Sequence, residues 1–377
     1  MLSALPVTAG PAHAAGEGIR ERQWGLEAVN APEAWKTTRG RGVTVAVLDT
    51  GVDGTHPDIR RSVTEGKDLI GFGAGPGDPH WAQHGTAMAG IIAGHGHGPD
   101  GRLGVVGVAP EARVLPVRVL LEDRDGQRDK ARRTRGGALA EGIRWAADQG
   151  ADVINLSLGD DSSSAHPRPA QDAAVRYALR KGSVVVASAG NGGEEGDHAS
   201  YPAAYPGVIA VTAVDRDGAR ASFSTRRWYA TVSAPGDDVI ITEPDRAYYE
   251  GWGTSAAAAF VSGVVALVRS AHPELTPAQI KRLLADTARN TPPGGRSDAL
   301  GTGIVDAAAA LELARTLEPG ALEPSPEPYR KRYFGSGPEP EADGGGTGWL
   351  APAAAVCGVL LIAAAIALQR GVRPFRR

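Results

Sequence analysis

The run from Gly251 to Val268 carries no charge. It opens on Gly251-Trp252-Gly253-Thr254-Ser255 and continues almost entirely in small and apolar residues until Arg269. Such a run is short for the ~20 residues a bilayer core needs and too apolar for a half-exposed surface helix. It reads as a glycine turn feeding a helix buried on all sides, so the remaining chain has to surround it. At the start of a helix the unpaired N–H groups and the dipole favour negative charge. Ser255 therefore has two readings. Alone it is an N-cap. With a base and an acid nearby it is a nucleophile whose own N–H points at the developing oxyanion.

Two upstream stretches supply those partners. Val43-Thr44-Val45-Ala46-Val47-Leu48 is the pattern of a strand buried on both faces, and it ends at Asp49-Thr50-Gly51. The carboxyl end of a central parallel strand is where open α/β sheets place their sites. Aspartic proteases also use Asp-Thr-Gly, but they need two such carboxylates and the chain has no second one. His84-Gly85-Thr86 opens another small-residue helix. The spacings His80/His84 and His95/His97 lack a third ligand at a sensible interval, so no metal site is expected.

Between these stretches strand and helix patterns alternate. Strands are predicted over 112–119, 151–158, 184–188, 208–214 and 230–234, and helices over 138–149, 171–181 and 276–287. The last of these helices starts at a Thr276 cap followed by Pro277. A short helix is predicted between Trp24 and Trp35, and the basic stretch Arg128–Arg135 reads as a solvated loop. The alternation argues for an α/β fold, one mostly parallel central sheet with helices on both faces.

The order Asp49, His84, Ser255 is one of three in which this triad recurs on unrelated folds. Together with Val47-Leu48-Asp49-Thr50-Gly51-Val52, His56-Pro57-Asp58, His84-Gly85-Thr86, Ser188-Ala189-Gly190-Asn191 and Gly253-Thr254-Ser255, it resembles the subtilisin-like serine peptidases over about Trp24 to Leu313. The resemblance implies a subtilisin-like fold and a serine endopeptidase without a cofactor. It makes Ser255 the nucleophile, His84 the general base and then acid, and Asp49 the carboxylate that fixes the imidazole tautomer. Asn191, which alone reads as a turn residue, becomes the side-chain donor of an oxyanion hole opposite the Ser255 N–H. Ser157-Leu158-Gly159 becomes the segment that pairs with substrate backbone and walls the P1 pocket, with Ser188-Ala189-Gly190 as the other wall. Asp58 falls at a calcium-ligand position of secreted relatives, but the glycine-rich Gly94–Gly104 loop lacks the pattern that completes that site. No calcium is expected there. After the nucleophile, Ala256 and Ala259 stand where many relatives have Met and Pro. Losing that proline restores an N–H and should straighten the helix.

The ends of the chain suggest a location. Residues 1–15 resemble the back half of a signal peptide, with Ala12-His13-Ala14 as an A-x-A site. The catalytic domain is expected over 16–317, and a Pro/Glu/Gly-rich linker over 318–348. Trp349 to Leu368 is uncharged and about the length of a bilayer span, and a tail with four arginines follows over 369–377. Positive-inside places that tail in the cytoplasm and the catalytic domain outside the cell membrane. A net charge of −3 gives no reason to expect nucleic acid. Cys357, the single cysteine, lies in the apolar run and permits no internal disulfide. A short N-terminal extension, Pro-rich linker and single C-terminal anchor resemble the mycosins, proteases associated with type VII secretion. The implied partners are a protein or peptide substrate, the membrane and a secretion complex. Under a second reading the chain is mainly a structural component of that complex. Mycosins commonly carry disulfides, and here the chain departs from them.

Overall fold

A computed structural model describes residues 18–321. The expected signal segment, membrane span and basic tail, and nearly all of the linker, lie outside the described residues. Near the start of the described residues, after a 3-10 turn at Arg20–Arg22, stand two short helices, α1 (Trp24–Ala28) and α2 (Ala31–Ala34), where one was expected. Asn30, in the left-handed region at φ 56°, breaks them apart. Then come β1 (Thr44–Asp49), β2 (Lys67–Asp68), α3 (Gln83–Ala93), β3 (His95–His97), β4 (Leu103–Val106) and β5 (Arg113–Arg118). The middle of the chain adds α4 (Arg128–Thr134), α5 (Ala138–Asp148), β6 (Val153–Leu156), α6 (Pro169–Arg180), β7 (Val184–Ser188), β8 (Ile209–Val214) and β9 (Ala230–Pro235). It closes with β10 (Val239–Thr242), β11 (Tyr248–Gly251), α7 (Thr254–Ala271), α8 (Pro277–Asp286) and α9 (Ala307–Ala314).

Seven strands form one sheet in the order β2-β5-β1-β6-β7-β8-β9, with every pairing parallel. Alternation along the strands divides the interior into two cores. Val45, Val47, Val153, Val184 and Val186 face one side, where α3 and α7 cover them. Ala46, Leu48, Ile154, Leu156, Val185 and Ala187 face the other, under α5 and α6. Both sets are buried, which is why β1, β6 and β7 read as continuous apolar runs.

The charge-free run is α7. It is 18 residues long and mostly buried, so the helix is longer than its sequence pattern implied and by length and composition alone could cross a membrane. Here it lies inside the protein, against the sheet and α3. It runs unbroken through Ala259. The basic stretch is a helix, not a loop. In α4 only Ala131 is buried, and the cations line its exposed surface. The Gly94–Gly104 region is the hairpin β3–β4, not an open loop.

Chain order along the sheet reverses at β1. The chain leaves β1 for the β5–β2 side and later returns to β6 on the other side. Crevices outside the carboxyl ends of strands at such a point are the standard binding places of open α/β sheets. Asp49 ends β1 there, Ser157 follows β6, and Ser188 ends β7.

Candidate active site

Asp49 is fully buried, and its carboxylate accepts the Thr50 N–H at 2.7 Å. His84 Nδ1 lies 2.8 and 2.9 Å from the two carboxylate oxygens. A proton on Nδ1 leaves Nε2 of the neutral ring free to accept another. Gly85 brings the two elements together. A Cβ there would stand 1.8 Å from the Gly51 carbonyl oxygen, so only glycine lets α3 dock on the turn after β1. The His84 backbone N–H, unpaired at a helix start, donates to Glu122 Oε1 at 2.9 Å. Burial pulls the His84 imidazole down, but the charge and hydrogen bond of Asp49, with Glu122 and Asp123 behind them, outweigh it and raise it to about 9.

Ser255 is the second residue of α7 and half-buried. Its Oγ donates to the Ser157 carbonyl at 3.1 Å, so it is not engaged with His84 in this arrangement. Catalytic hydrogen bonds commonly tighten only with substrate in place. Ser157 Oγ returns a bond to the Ser255 carbonyl at 2.8 Å and accepts one from Asn155 Nδ2 at 3.0 Å. Ser262 Oγ completes the chain onto Asn155 Oδ1 at 2.9 Å. These buried bonds tie the end of β6 to the first turns of α7.

Asn191 is held from both ends. Thr254 N–H and Oγ–H both donate to its Oδ1 at 2.9 Å, and its own N–H donates to Asp161 Oδ2 at 2.8 Å. With Oδ1 occupied by donors, the amide nitrogen is left to donate outward. A Cβ built on Gly253 would stand 3.7 Å from both Asn191 Nδ2 and Ser255 N. The Asn191 amide nitrogen and the Ser255 N–H therefore both lie close to Gly253, at the start of α7. Gly253 makes the turn possible with φ 138°, a region closed to other residues.

The two predicted walls face each other. Ser188 Oγ reaches the Leu158 carbonyl at 3.5 Å. Ala189 is tied into the sheet by Val211 O and by the Tyr229 hydroxyl, and Gly190 turns the chain away at φ 108°. Leu158 and Gly159 open onto a cavity of about 570 Å³. The "Subtilase family" sequence profile matches residues 40–303. The chain belongs to the subtilase family.

This subtilase is a subtilisin-like serine endopeptidase. It is 39% identical to thermitase of Thermoactinomyces vulgaris over 66% of its own length and 82% of that protein. It is 37% identical to fervidolysin of Fervidobacterium pennivorans over 79% of its own length, but spans only 44% of that longer chain. Among solved structures it is similar to the MycP3 protease from the type VII (ESX-3) secretion system, with 35% identity and a TM-score of 0.64. That match covers 76% of this chain and 87% of MycP3.

The calcium position is filled by protein. Buried Asp58 accepts from His97 Nδ1 at 2.5 Å, Val105 N at 2.7 Å and the Tyr248 hydroxyl at 2.8 Å. The Arg20 guanidinium donates to the carbonyls of Gly101 and Gly104. Donors crowding the carboxylate and a cationic side chain on the loop carbonyls do not fit a calcium ion. Among the described residues no group of three or more His, Cys, Asp or Glu gathers for another metal.

Several residues that shape the site carried no signal of their own in the sequence. Thr254 orients Asn191, Asn155 and Ser262 buttress Ser157, and Glu122 holds the start of α3. The Gly-Thr-Ser spacing exposes Thr254 in retrospect. The others emerge only when β6, α7 and the segment after β5 are brought together.

Proposed function

We propose that this subtilase cuts peptide bonds through Ser255, His84 and Asp49 by way of an acyl-enzyme. The observation that carries the reading is the pairing of buried Asp49 with His84, together with an Asn191 amide whose oxygen is held by Thr254 at the start of the helix that carries Ser255. Ser255 Oγ attacks the scissile carbonyl carbon while His84 Nε2 takes its proton. Asp49 holds the Nδ1 proton and stabilises the imidazolium. Asn191 Nδ2–H and Ser255 N–H receive the oxyanion. His84 then passes the proton to the leaving amine, and water releases the acyl group by the same steps in reverse roles. Ser157-Leu158-Gly159 and Ser188-Ala189-Gly190 hold an extended substrate between them, with main-chain bonds giving affinity and side-chain pockets giving preference.

We further propose that the enzyme works at the outer face of the cell membrane, anchored through 349–368 by a linker over 318–348, and serves a type VII secretion system. The uncharged run followed by an arginine-rich tail supports the anchor. Similarity to MycP3 supports the association. Comparing the N-termini of secreted proteins with and without Ser255→Ala tests the activity. Cleavage products that vanish in the variant are expected. An unchanged set of N-termini overturns the reading.

A further inference from the structure

The cavity is lined by Leu158 and Gly159, which directly follow Ser157, and by Asp161, which accepts the Asn191 backbone N–H at 2.8 Å, so it adjoins the proposed catalytic centre. Its opposite wall is built by residues 119–121 and by α4, with the turn into α5. Two carboxylates face it, Asp160 and Asp161, against four guanidiniums, Arg128, Arg132, Arg135 and Arg168. His166 also lines it.

Most of these charges are committed elsewhere. Arg128 pairs with Asp123 at 2.6 Å, outside the cavity lining, and donates to the Leu121 carbonyl. Arg135 donates to the Ile70 carbonyl at 3.0 Å and stands 6.0 Å from the centre of the Phe72 ring. Arg168 and Asp160 are 3.9 Å apart, and Asp161 accepts from Asn191. Arg132 differs. Its exposed guanidinium has no carboxylate, carbonyl or ring partner among the described residues. The cavity therefore keeps positive charge on the wall that faces the substrate-pairing segment. A guanidinium without a partner is a ready fork for a carboxylate.

We infer that this cavity receives an acidic side chain of the substrate, on a residue N-terminal to the scissile bond, and that Arg132 is its specificity-determining partner. The inference rests on Ser157–Gly159 pairing with the acyl side of the substrate. The apolar part of the lining, Leu139, Leu158 and Tyr201, suits the methylene stem of a glutamate better than a bare ion. Because Arg132 is exposed, the preference is modest and sensitive to salt.

The test uses peptide sets carrying glutamate, glutamine or lysine in turn at each of the four positions before the cleaved bond. The ratio of kcat/KM within each enzyme is read, so changes in overall activity cancel. At one position glutamate should exceed glutamine by about 1.5- to fivefold, the range of an exposed ion pair. Raising ionic strength should shrink that ratio, and Arg132→Glu should turn it in favour of lysine. Arg132→Gln should abolish it without reversing it. Affinities of the same peptides for the Ser255→Ala protein should follow the same order. Cleavage and binding indifferent to charge at all four positions overturn the inference, as does a glutamate preference that survives Arg132→Glu. If binding follows charge and depends on Arg132 but no peptide is cut, the pocket for an acidic side chain at Arg132 stands, while its placement relative to a scissile bond falls with the protease reading.

Discussion

In the proposed mechanism, the orientation of the single Asn191 amide decides whether the site can stabilise an oxyanion. Thr254 presents two donors, so the Asn191 oxygen must face it and the nitrogen must face the cleft. Asn191→Ala should leave folding intact and cost about 3 kcal/mol of transition-state stabilisation, on the order of 10²–10³ in kcat. A well-folded variant with undiminished kcat would place the oxyanion hole elsewhere. His84 sets the pH dependence. Its imidazole is raised from 6.5 to about 9 but must be neutral to accept the serine proton, so kcat/KM should fall as pH drops through that range. The side chain is 37% exposed, so solvent screens part of the Asp49 field and the acid limb should fall between 6.5 and about 9. Glu122→Gln removes one of the raising charges and should move the limb to lower pH, measured by kcat/KM profiles of both proteins. The sign for stability is opposite. A raised histidine stabilises the fold fully below pH 6.5, and this contribution fades as pH rises through about 9. Asp49, His84, Ser255 and Asn191 stand out in the sequence because each sits in a short motif with a rigid spacing, and the structure joins Asp49 to His84 and Asn191 to the neighbour of Ser255, while their catalytic roles are those proposed above. Asn155, Ser262 and Glu122 were not, since each acts through a contact between segments distant in sequence.

The elements that were legible are those whose burial leaves a period. β1, β6, β7 and β8 appear within a few residues of their predicted bounds because both faces are apolar, and α5 and α6 follow their stripes. Helix α4 was misread for the converse reason. With Ala131 alone buried, a helix of arginine, lysine and aspartate has no stripe to detect. The hairpins β3–β4 and β10–β11 were missed because β3 (His95–His97) and β11 (Tyr248–Gly251) are short and only partly buried, so neither leaves an apolar run like that of β6. At α8 the sequence signal understated the structure. The sequence marks Thr276 as a cap, and its Oγ accepts the Gln279 N–H at 3.2 Å while the Gln279 side chain accepts the Thr276 N–H at 3.0 Å. This reciprocal pair closes a capping box. Thr276→Ala opens it and should lower unfolding free energy by about 1 kcal/mol. Denaturant midpoints measured on a Ser255→Ala background, which prevents self-digestion, check this. A midpoint unchanged by Thr276→Ala would mean that packing of Ile280, Leu283 and Leu284 alone fixes the start of the helix.

For the molecule as a whole, the question is whether its chemistry or its attachment matters more. Two changes separate them. Ser255→Ala removes one hydroxyl at the second position of α7, where alanine is the best helix former and the following residues are already alanine. The lost donor reaches only the Ser157 carbonyl, and the bond from Ser157 Oγ to the Ser255 backbone is kept, so the fold should be undisturbed. Ending the chain after Glu318 leaves Asp49, His84, Asn191 and Ser255 in place but removes the proposed anchor. A linker over 318–348 that behaves as a flexible coil has an r.m.s. span of roughly 30 Å, which would keep the anchored site close to the membrane surface. For a processing protease, Ser255→Ala should abolish cleavage of its substrates while export continues. The truncated enzyme should cut a soluble peptide normally but process exported proteins poorly. For a chain that acts chiefly as a structural component, Ser255→Ala should leave export unchanged, and loss of the anchor should stop it. Fractionation of cells expressing each form, with the secreted proteins read by mass spectrometry, distinguishes the two. Protease added to intact cells should remove the catalytic domain of the full-length protein and spare a tag placed after Arg377. Digestion of that tag from outside would overturn the proposed topology, and normal processing by the truncated form would overturn the need for an anchor.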